Sequence, residues 1–447
     1  MSREMKDSGI EWIGEIPMEW MVVPFRSYVI ERAEKNKGEK TRELLALSFA
    51  LGVTLYKDKV FNMDRVKENY EDYQLVYKND LVLSPNDIIK GSVYVSKYYG
   101  CISPMYLVFS ARNNNIHHLP YLSYLLRTRE AGRRFFFIAR GLIGGILDNG
   151  KYVTRRMTVS RQDLLSFKVL LPPLCAQQKI ADYLDKVCGE ADDMIALQEK
   201  MIEELKAYKQ SVITETVTKG LNPNVPMRDS GIDWIGEIPK HWNTMRFKHY
   251  FKTGKGLNIT KGDLTPEGAP IVSYGQVHSK YNTGTKLDDV LIRHLPESLT
   301  EGCHSSKVSI GDFIFADTSE DINGCGNAVY VDKEIGLFAG YHSVIAFGKY
   351  SHENKFLSYL FLTDCWRSQI RMRVTGIKVF SISQNILNQT TLILPPKIEQ
   401  QQIVSYLDTI CSEIDTLISI KQKKIEELKD YKKSLIYEYV TGKKQVN

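Results

Sequence analysis

The chain has 447 residues, a hydrophobic fraction of 43% and a formal net charge of +6. That length accommodates two or three domains, the apolar content excludes a disordered chain, and no uncharged apolar run approaches the roughly 20 residues that span a bilayer. The stretch MSREMKDSG lacks the apolar core of a secretory signal, and the seven cysteines include no CxxC. Free thiols in a reducing, cytoplasmic setting are the expectation. The positive balance permits a polyanionic partner without demanding one.

In chain order, the first signal is Asp7–Trp20, DSGIEWIGEIPMEW, which returns as Asp229–Trp242, DSGIDWIGEIPKHW. Leu171–Asp185, LPPLCAQQKIADYLD, returns as Leu394–Asp408, LPPKIEQQQIVSYLD. Each copy then runs into a charged helix, IEELKAYKQSVITETVT from Ile202 and IEELKDYKKSLIYEYVT from Ile425. The chain is therefore one unit written twice, with nearly unrelated sequence between the repeated parts. The boundaries expected are a repeated motif at 1–21, a variable segment at 22–170 and a long helix at 171–221. A linker with the second motif follows at 222–243, then a second variable segment at 244–393 and a second long helix at 394–447.

Within the first variable segment, Asp80–Ser84 and Tyr94–Phe109 have the alternating texture of strands, and His118–Phe137 reads as one helix with Leu122, Leu125 and Leu126 on a face. The second repeats this grammar with Asp312–Ala316, Tyr341–Phe347 and a helix from Asn354 to Val374. After each Leu-Pro-Pro, residues spaced by four and three form a heptad seam. In the first helix it includes Ile180, Leu184, Val187, Met194, Met201, Leu205, Tyr208 and Val212. In the second it includes Ile403, Leu407, Ile410, Leu417, Lys424, Leu428, Tyr431 and Leu435. Gln198, Lys421 and Lys424 interrupt it, either as slack in the packing or as polar positions that set alignment. The fold class expected is α+β: two globular mixed α/β domains separated by two long helices that form an antiparallel coiled coil, with an internal pseudo-two-fold repeat. Ile180 to Val212 spans on the order of 50 Å as a helix, more than one turn of B-DNA at roughly 34–36 Å.

Catalytic constellations are missing from the sequence. There is no GxxxxGK[ST] loop, no Asp/Asn-Pro-Pro-aromatic tetrapeptide and no HExxH. His117, His118 and His342 read as ordinary polar residues, and Asp332-Lys-Glu is too common a triplet to support a nuclease. No metal ligand set is expected, and the chain is expected not to be an enzyme by itself.

Basic residues gather in the variable segments: Arg127, Arg129, Arg133, Arg134, Arg140, Lys151, Arg155 and Arg156 in the first, Arg367, Arg371, Arg373 and Lys378 in the second. Each alone reads as a solvated helix face; as sets beside Gly-rich loops they suit phosphate contact. Base readout draws on Ser84-Pro-Asn86-Asp87 with Lys90, and on Thr318–Asn327 with Asn323 and Asn327. Lys255 and Lys261, in TGKGLNITKGD, are further candidates.

The repeated DSGI-x-WIGEIP, the LPP followed by QQKIADYLD or EQQQIVSYLD, IEELKxYKxSxI and the TKGLNPNVPMRDSG junction closely resemble the specificity subunit of type I restriction–modification systems, in order and over the whole length. The resemblance implies two target recognition domains, each reading half of a split, asymmetric site in double-stranded DNA. It also implies a coiled coil that docks two methyltransferase (modification) subunits, with restriction/translocase subunits joining the complex. No cofactor is implied for this chain; S-adenosylmethionine, ATP and Mg belong to those partners. Two other readings stay open: an orphan specificity-like adaptor that binds protein partners without active DNA specificity, and a divergent nuclease or methyltransferase.

Overall fold

The computed structural model describes residues 3–49, 51–59, 69–142, 156–349, 354–376 and 378–446. Arg155 and Lys151 lie outside the described residues, and of Arg156 only the backbone is described. The chain forms two units, Met1–Glu199 with Gln422–Asn447, and Lys200–Lys421. Each therefore contains one variable segment, one copy of the N-terminal motif and a stretch of both long helices, Leu174–Lys219 and Lys397–Val440.

In the first unit the motif is a hairpin, Met5–Asp7 against Glu15–Pro17. Ile10, Ile13, Ile16 and Trp20 enter the main core, so the motif is part of the domain and not a separate leader to it. Met21–Pro24 pairs antiparallel with Lys168–Leu171, closing the beginning of the variable segment onto its end. Pro172 and Pro173 follow that strand; proline cannot donate to a ladder but suits a helix start, and the long helix begins at Leu174. The central sheet is antiparallel, with β1 (Val29–Glu31), β2 (Leu81–Leu83), β3 (Val93–Val95) and β4 (Leu107–Ala111) in the order β1-β4-β2-β3. Two short helices follow, α1 (Leu119–Leu126) and α2 (Arg129–Ile138).

The second unit keeps this frame. Its central strands are β5 (Phe251–Lys255), β6 (Phe313–Ala316), β7 (Ala328–Tyr330) and β8 (Ser343–Gly348), in the matching order β5-β8-β6-β7. Helices α3 (Lys355–Phe361) and α4 (Asp364–Arg371) correspond to α1 and α2. The additions differ. The first unit carries the hairpin Leu45–Ser48/Gly52–Leu55, whereas the second carries a three-stranded sheet centred on Ala269–Val272.

Three sequence expectations are corrected. His118–Phe137 is two helices, because the Thr128 side chain accepts from the Ala131 amide and caps a new start. Asn354–Val374 is broken in the same way by Thr363, which caps Trp366. Tyr94–Phe109 contains parts of three strands, Val93–Val95, Gly100–Ile102 and Leu107–Ala111.

The long helices run antiparallel within each unit. In the first, the Tyr183 and Tyr439 rings pack tilted with centroids 4.6 Å apart, and Lys432 pairs with Asp192. In the second, Lys209 holds Asp415 at 2.7 Å, and Met201 Sδ accepts from Lys421 at 3.3 Å. The two ion pairs occupy equivalent positions of the repeat.

Burial shows a seam that drifts from a strict heptad. Ile180, Leu184, Ile403 and Leu407 are buried, whereas Val187, Ile410, Leu205 and Leu428 are only half-buried. Tyr208 and Tyr431, expected in the seam, are 57% and 54% exposed, and Met194 and Leu417 are exposed as well. The buried positions are one residue later: Cys188, Ile195, Ile202 and Ile213 in the first helix, Cys411, Ile425 and Ile436 in the second. The physical reason is helical pitch. A straight helix has about 3.6 residues per turn, so a pattern counted at 3.5 slips around the cylinder.

Side-chain hydrogen bonds explain the repeated QQ and YLD motifs. Gln177 is fully buried, and its amide donates to the Ile116 and Pro172 carbonyls at 2.8 and 2.7 Å and accepts from the His118 amide. Gln400 donates likewise to Pro395 at 2.8 Å. Tyr124 donates to Asp185 at 2.6 Å and Tyr359 to Asp408 at 2.7 Å, tying each short-helix pair to its long helix. Burial, then the carboxylate as acceptor, pushes both phenols far above their ordinary range, so they stay protonated donors.

Candidate nucleic-acid interface

The proposed reading loops begin at the ends of β2 and β6, strands buried in their sheets. The Val159 amide donates to the Pro85 carbonyl at 3.1 Å, and the Ile382 amide donates to the Asp317 carbonyl at 2.7 Å. These are equivalent bonds in the two copies. Each ties the loop after a central strand to the segment carrying the late basic residues, Arg156 in one unit and Lys378 in the other. In the first unit Thr158 Oγ1 also donates to Asn86 Oδ1 at 2.6 Å. In the second, Thr318–Ser319 pairs with Phe380–Ser381.

In the first unit, Arg133 and Arg134 on α2 line a cleft of about 840 Å³ together with Trp12, Phe137 and Lys168. Phe137 is 77% exposed beside these cations, a combination suited to phosphate contact and base stacking. Arg140 stands 3.9 Å from Asp163, which also lines that cleft. Lys90 is exposed and sits 3.4 Å from Asp87, outside it.

In the second unit, Lys255 lines a cleft of about 970 Å³. Thr318, Ser381, Ser383, Gln384, Asn385 and Asn388 share it, all side chains that can pair with base edges. His342 adopts φ 51 there, a left-handed conformation uncommon outside glycine, with Nδ1 3.3 Å from Asp317. Gln384, Asn385 and Asn388 were missed in the sequence. Ser383-Gln-Asn-Ile-Leu reads as an ordinary capped helix, and the Ser383 side chain does accept from the Ile386 amide. Lys261 is exposed in a short capped turn away from the cleft lining.

The structure ties other candidates into the fold. Arg367 Nε donates to the Phe361 carbonyl at 2.7 Å, and burial with the neighbouring Arg371 lowers its pKa to about 10. Arg371 pairs with Asp364 at 2.8 Å and donates to the Asn323 carbonyl at 3.2 Å. Both arginines, expected at phosphates, therefore brace α4. Asn327 Nδ2 lies 3.2 Å from His278 Nδ1 and is half-buried. Lys378, by contrast, is exposed. Lys378→Ala is expected to flatten the salt dependence of DNA binding by about one unit of log–log slope. Arg367→Ala is expected to leave that slope alone and lower stability by about 1–3 kcal/mol. Titration of DNA binding against salt, with urea melts of both variants, checks the pair.

The first histidine pair is internal. The His117 ring packs tilted against Tyr28 with centroids 4.7 Å apart, and its Nδ1 accepts from the Asn113 amide at 3.1 Å. Burial lowers its pKa, which favours the neutral ring. Among the described residues no group of three or more His, Cys, Asp or Glu side chains is arranged to hold a metal ion, and no helix is long and apolar enough to cross a membrane.

Comparison with known proteins bears on the whole chain. The family model described as the type I restriction modification DNA specificity domain matches twice, at residues 34–207 and 239–430. A putative type I restriction enzyme MjaX specificity subunit of Methanocaldococcus jannaschii is 24% identical over 97% of this chain and 96% of its own length. The type I restriction enzyme MjaVIII specificity subunit of the same organism is 24% identical over 83% and 80% of the two chains. A chain from a structure concerning complex assembly and conformational transition of a type I restriction–modification system superposes with a TM-score of 0.68 at 14% identity, covering 95% of this chain and 98% of that one. With both copies of the repeat matched, the chain belongs to the type I restriction–modification DNA specificity family.

Proposed function

We propose that this chain is the DNA sequence-recognition subunit of a type I restriction–modification complex, acting in the cytoplasm on an asymmetric, bipartite target in double-stranded DNA. The observation that carries the reading is one frame used twice with different additions. Equivalent strands, caps and tyrosine–aspartate bonds recur in both units, while the loops and small sheets beside the reading segments do not. Identical readers would give a symmetric target; unlike readers give two different half-sites.

The chain itself supplies no catalytic group in this reading. Two modification subunits carry S-adenosylmethionine and methylate adenine, and restriction/translocase subunits carry ATP and Mg. The long helices, with exposed Tyr208 and Tyr431 at equivalent positions, provide docking surface for the modification subunits. No cofactor site is assigned to this chain.

Methylome sequencing of a host that carries the gene tests the reading. The expected result is a methylated, asymmetric motif in two parts with a nonspecific gap, lost when the gene is deleted. Exchanging residues 22–168 for another member's segment is expected to change one half-site only. A single palindromic motif, or no motif that depends on the gene, would sink the proposal.

A further inference from the structure

The two copies of the frame separate side chains that serve the fold from those that do not. Asp80 and Asp312, both buried, stand just ahead of the equivalent strands β2 and β6. Counting from them, Pro85 in the first unit takes the place of Asp317 in the second. Both make the same backbone bond: the Pro85 carbonyl accepts from the Val159 amide and the Asp317 carbonyl from the Ile382 amide. Proline serves that bond equally well, so the fold does not account for a carboxylate at position 317.

The carboxylate is nevertheless closely fixed. The Asp317 amide donates to the His342 carbonyl at 3.1 Å, which clamps the backbone on its other side. Asp317 Oδ1 is buried and makes no hydrogen bond among the described residues; Nδ1 of His342 lies 3.3 Å from it, outside hydrogen-bond geometry. His342 keeps its left-handed backbone with its ring edge-on to Tyr274, centroids 5.6 Å apart. Strained backbone of this kind persists where the surroundings enforce it, and it gathers at binding sites. The Asp317 side chain as a whole is 35% exposed and lines the cleft. A fixed acceptor with no donor of its own suits a ligand that donates.

The chemistry of base edges narrows that ligand. In the major groove guanine offers only acceptors, and thymine offers an acceptor beside a methyl group. Adenine presents its amine next to N7, an acceptor that repels the second carboxylate oxygen. Cytosine presents an amine with no acceptor beside it on the same base. Lys255 is exposed and lines the same cleft. The sheet register sets it opposite Val344, which pairs with Phe315, two residues before Asp317. An ammonium group there suits O6 and N7 of a guanine.

We infer that Asp317, backed by His342, reads the 4-amino group of a cytosine from the major groove while Lys255 reads the guanine paired with it, so that the half-site recognised by the second unit contains a C·G pair. The first unit lacks this device, with Pro85 and Met105 in the places of Asp317 and His342. The inference rests on the functional reading above, in which each unit reads one half-site.

The test begins with the methylome motif of a host carrying the gene. The second unit's half-site is the part left unchanged when residues 22–168 are exchanged, and it is expected to contain a C·G pair. The full chain, assembled with its modification subunit, is then titrated with the target duplex. Companion duplexes replace each cytosine of that half-site in turn by a pyrimidin-2-one nucleotide, which lacks the 4-amino group. Wild type is expected to bind one of these on the order of tenfold or more weakly. Asp317→Ala should lose that penalty, and Asp317→Asn should accept A·T at the same pair, because a carboxamide matches the adenine edge. Thermal melts of both variants should stay near wild type, since proline occupies the equivalent position in the first unit. A second half-site without a C·G pair would overturn the inference. So would an Asp317→Ala variant that keeps the wild-type penalty, whatever its overall affinity. Both results leave the functional reading standing. If no bipartite motif depends on the gene, that reading itself fails and the inference falls with it.

Discussion

Trp366→Ala is expected to lower the stability of the second unit by about 3–5 kcal/mol, a large share of the roughly 5–15 kcal/mol that holds an ordinary domain together. Trp366 is fully buried and lies 4.2 Å from Phe361 and 6.0 Å from Phe315, ring centroid to centroid. Phe247, Phe251 and Phe313 continue the same aromatic cluster. Removing the indole leaves a cavity among rigid rings that cannot collapse into it, so the cavity cost adds to the lost transfer energy. Its Nε1 has no hydrogen-bond partner among the described residues, so Trp366→Phe sacrifices no bond and should cost only about 1–2 kcal/mol. Urea unfolding of both variants decides the matter. Equal losses would mean that the ring volume is not what supports this core.

The second large effect concerns the helix seam. Ile202→Asp together with Ile425→Asp is expected to unfold the helix pairs, because both side chains are buried, at 6% and 7% exposure. An unpaired carboxylate there must either stay charged at a cost of several kcal/mol or remain protonated. Leu205→Asp with Leu428→Asp should act more mildly on folding, since these positions are half-buried, and should still abolish assembly with the modification subunit. Tyr208→Asp with Tyr431→Asp should leave the helical circular dichroism unchanged, because both rings are exposed. If the tyrosine pair unfolds the chain and the isoleucine pair does not, the seam described above is in the wrong register.

That register separates what was legible in the sequence from what was not. The helices, their starts after Pro172-Pro173 and Pro395-Pro396, and their antiparallel relation all follow from repeat and periodicity. Which residue of each turn is buried does not, because a one-residue slip changes the apolar count very little along helices that also carry Met194 and Leu417. The short helices show a similar limit. Thr128 and Thr363 are unremarkable in a helical pattern until the chain turns and their hydroxyls cap the next helix.

The candidate interface divides along the same line. Charge singled out Arg133, Arg134 and Lys255 as candidates, and each lines a cleft in its unit. Arg367 and Arg371 carried the same charge signal but are half-buried, Arg367 bonded to the Phe361 carbonyl and Arg371 paired with the exposed Asp364. Guanidinium groups serve both purposes with the same donors, so composition does not separate them. Gln384, Asn385 and Asn388 were hidden for the opposite reason, as uncharged polar residues in a short capped helix.

By itself the sequence determined the duplication, the two long helices, the α+β units and the family, because repeat, heptad spacing and motif order are local properties of the chain. The tertiary structure decided which residues of the repeat serve the fold. It turned Gln177, Asp185 and their copies into hydrogen-bonded struts, moved the seam by a residue, and engaged two half-buried arginines with neighbouring carbonyl and carboxylate groups. The struts to Ile116, Tyr124 and Tyr359 join residues far apart in the chain and are set only once the units close. The seam and the arginines turn instead on helical pitch and on which close neighbours are left to pair with.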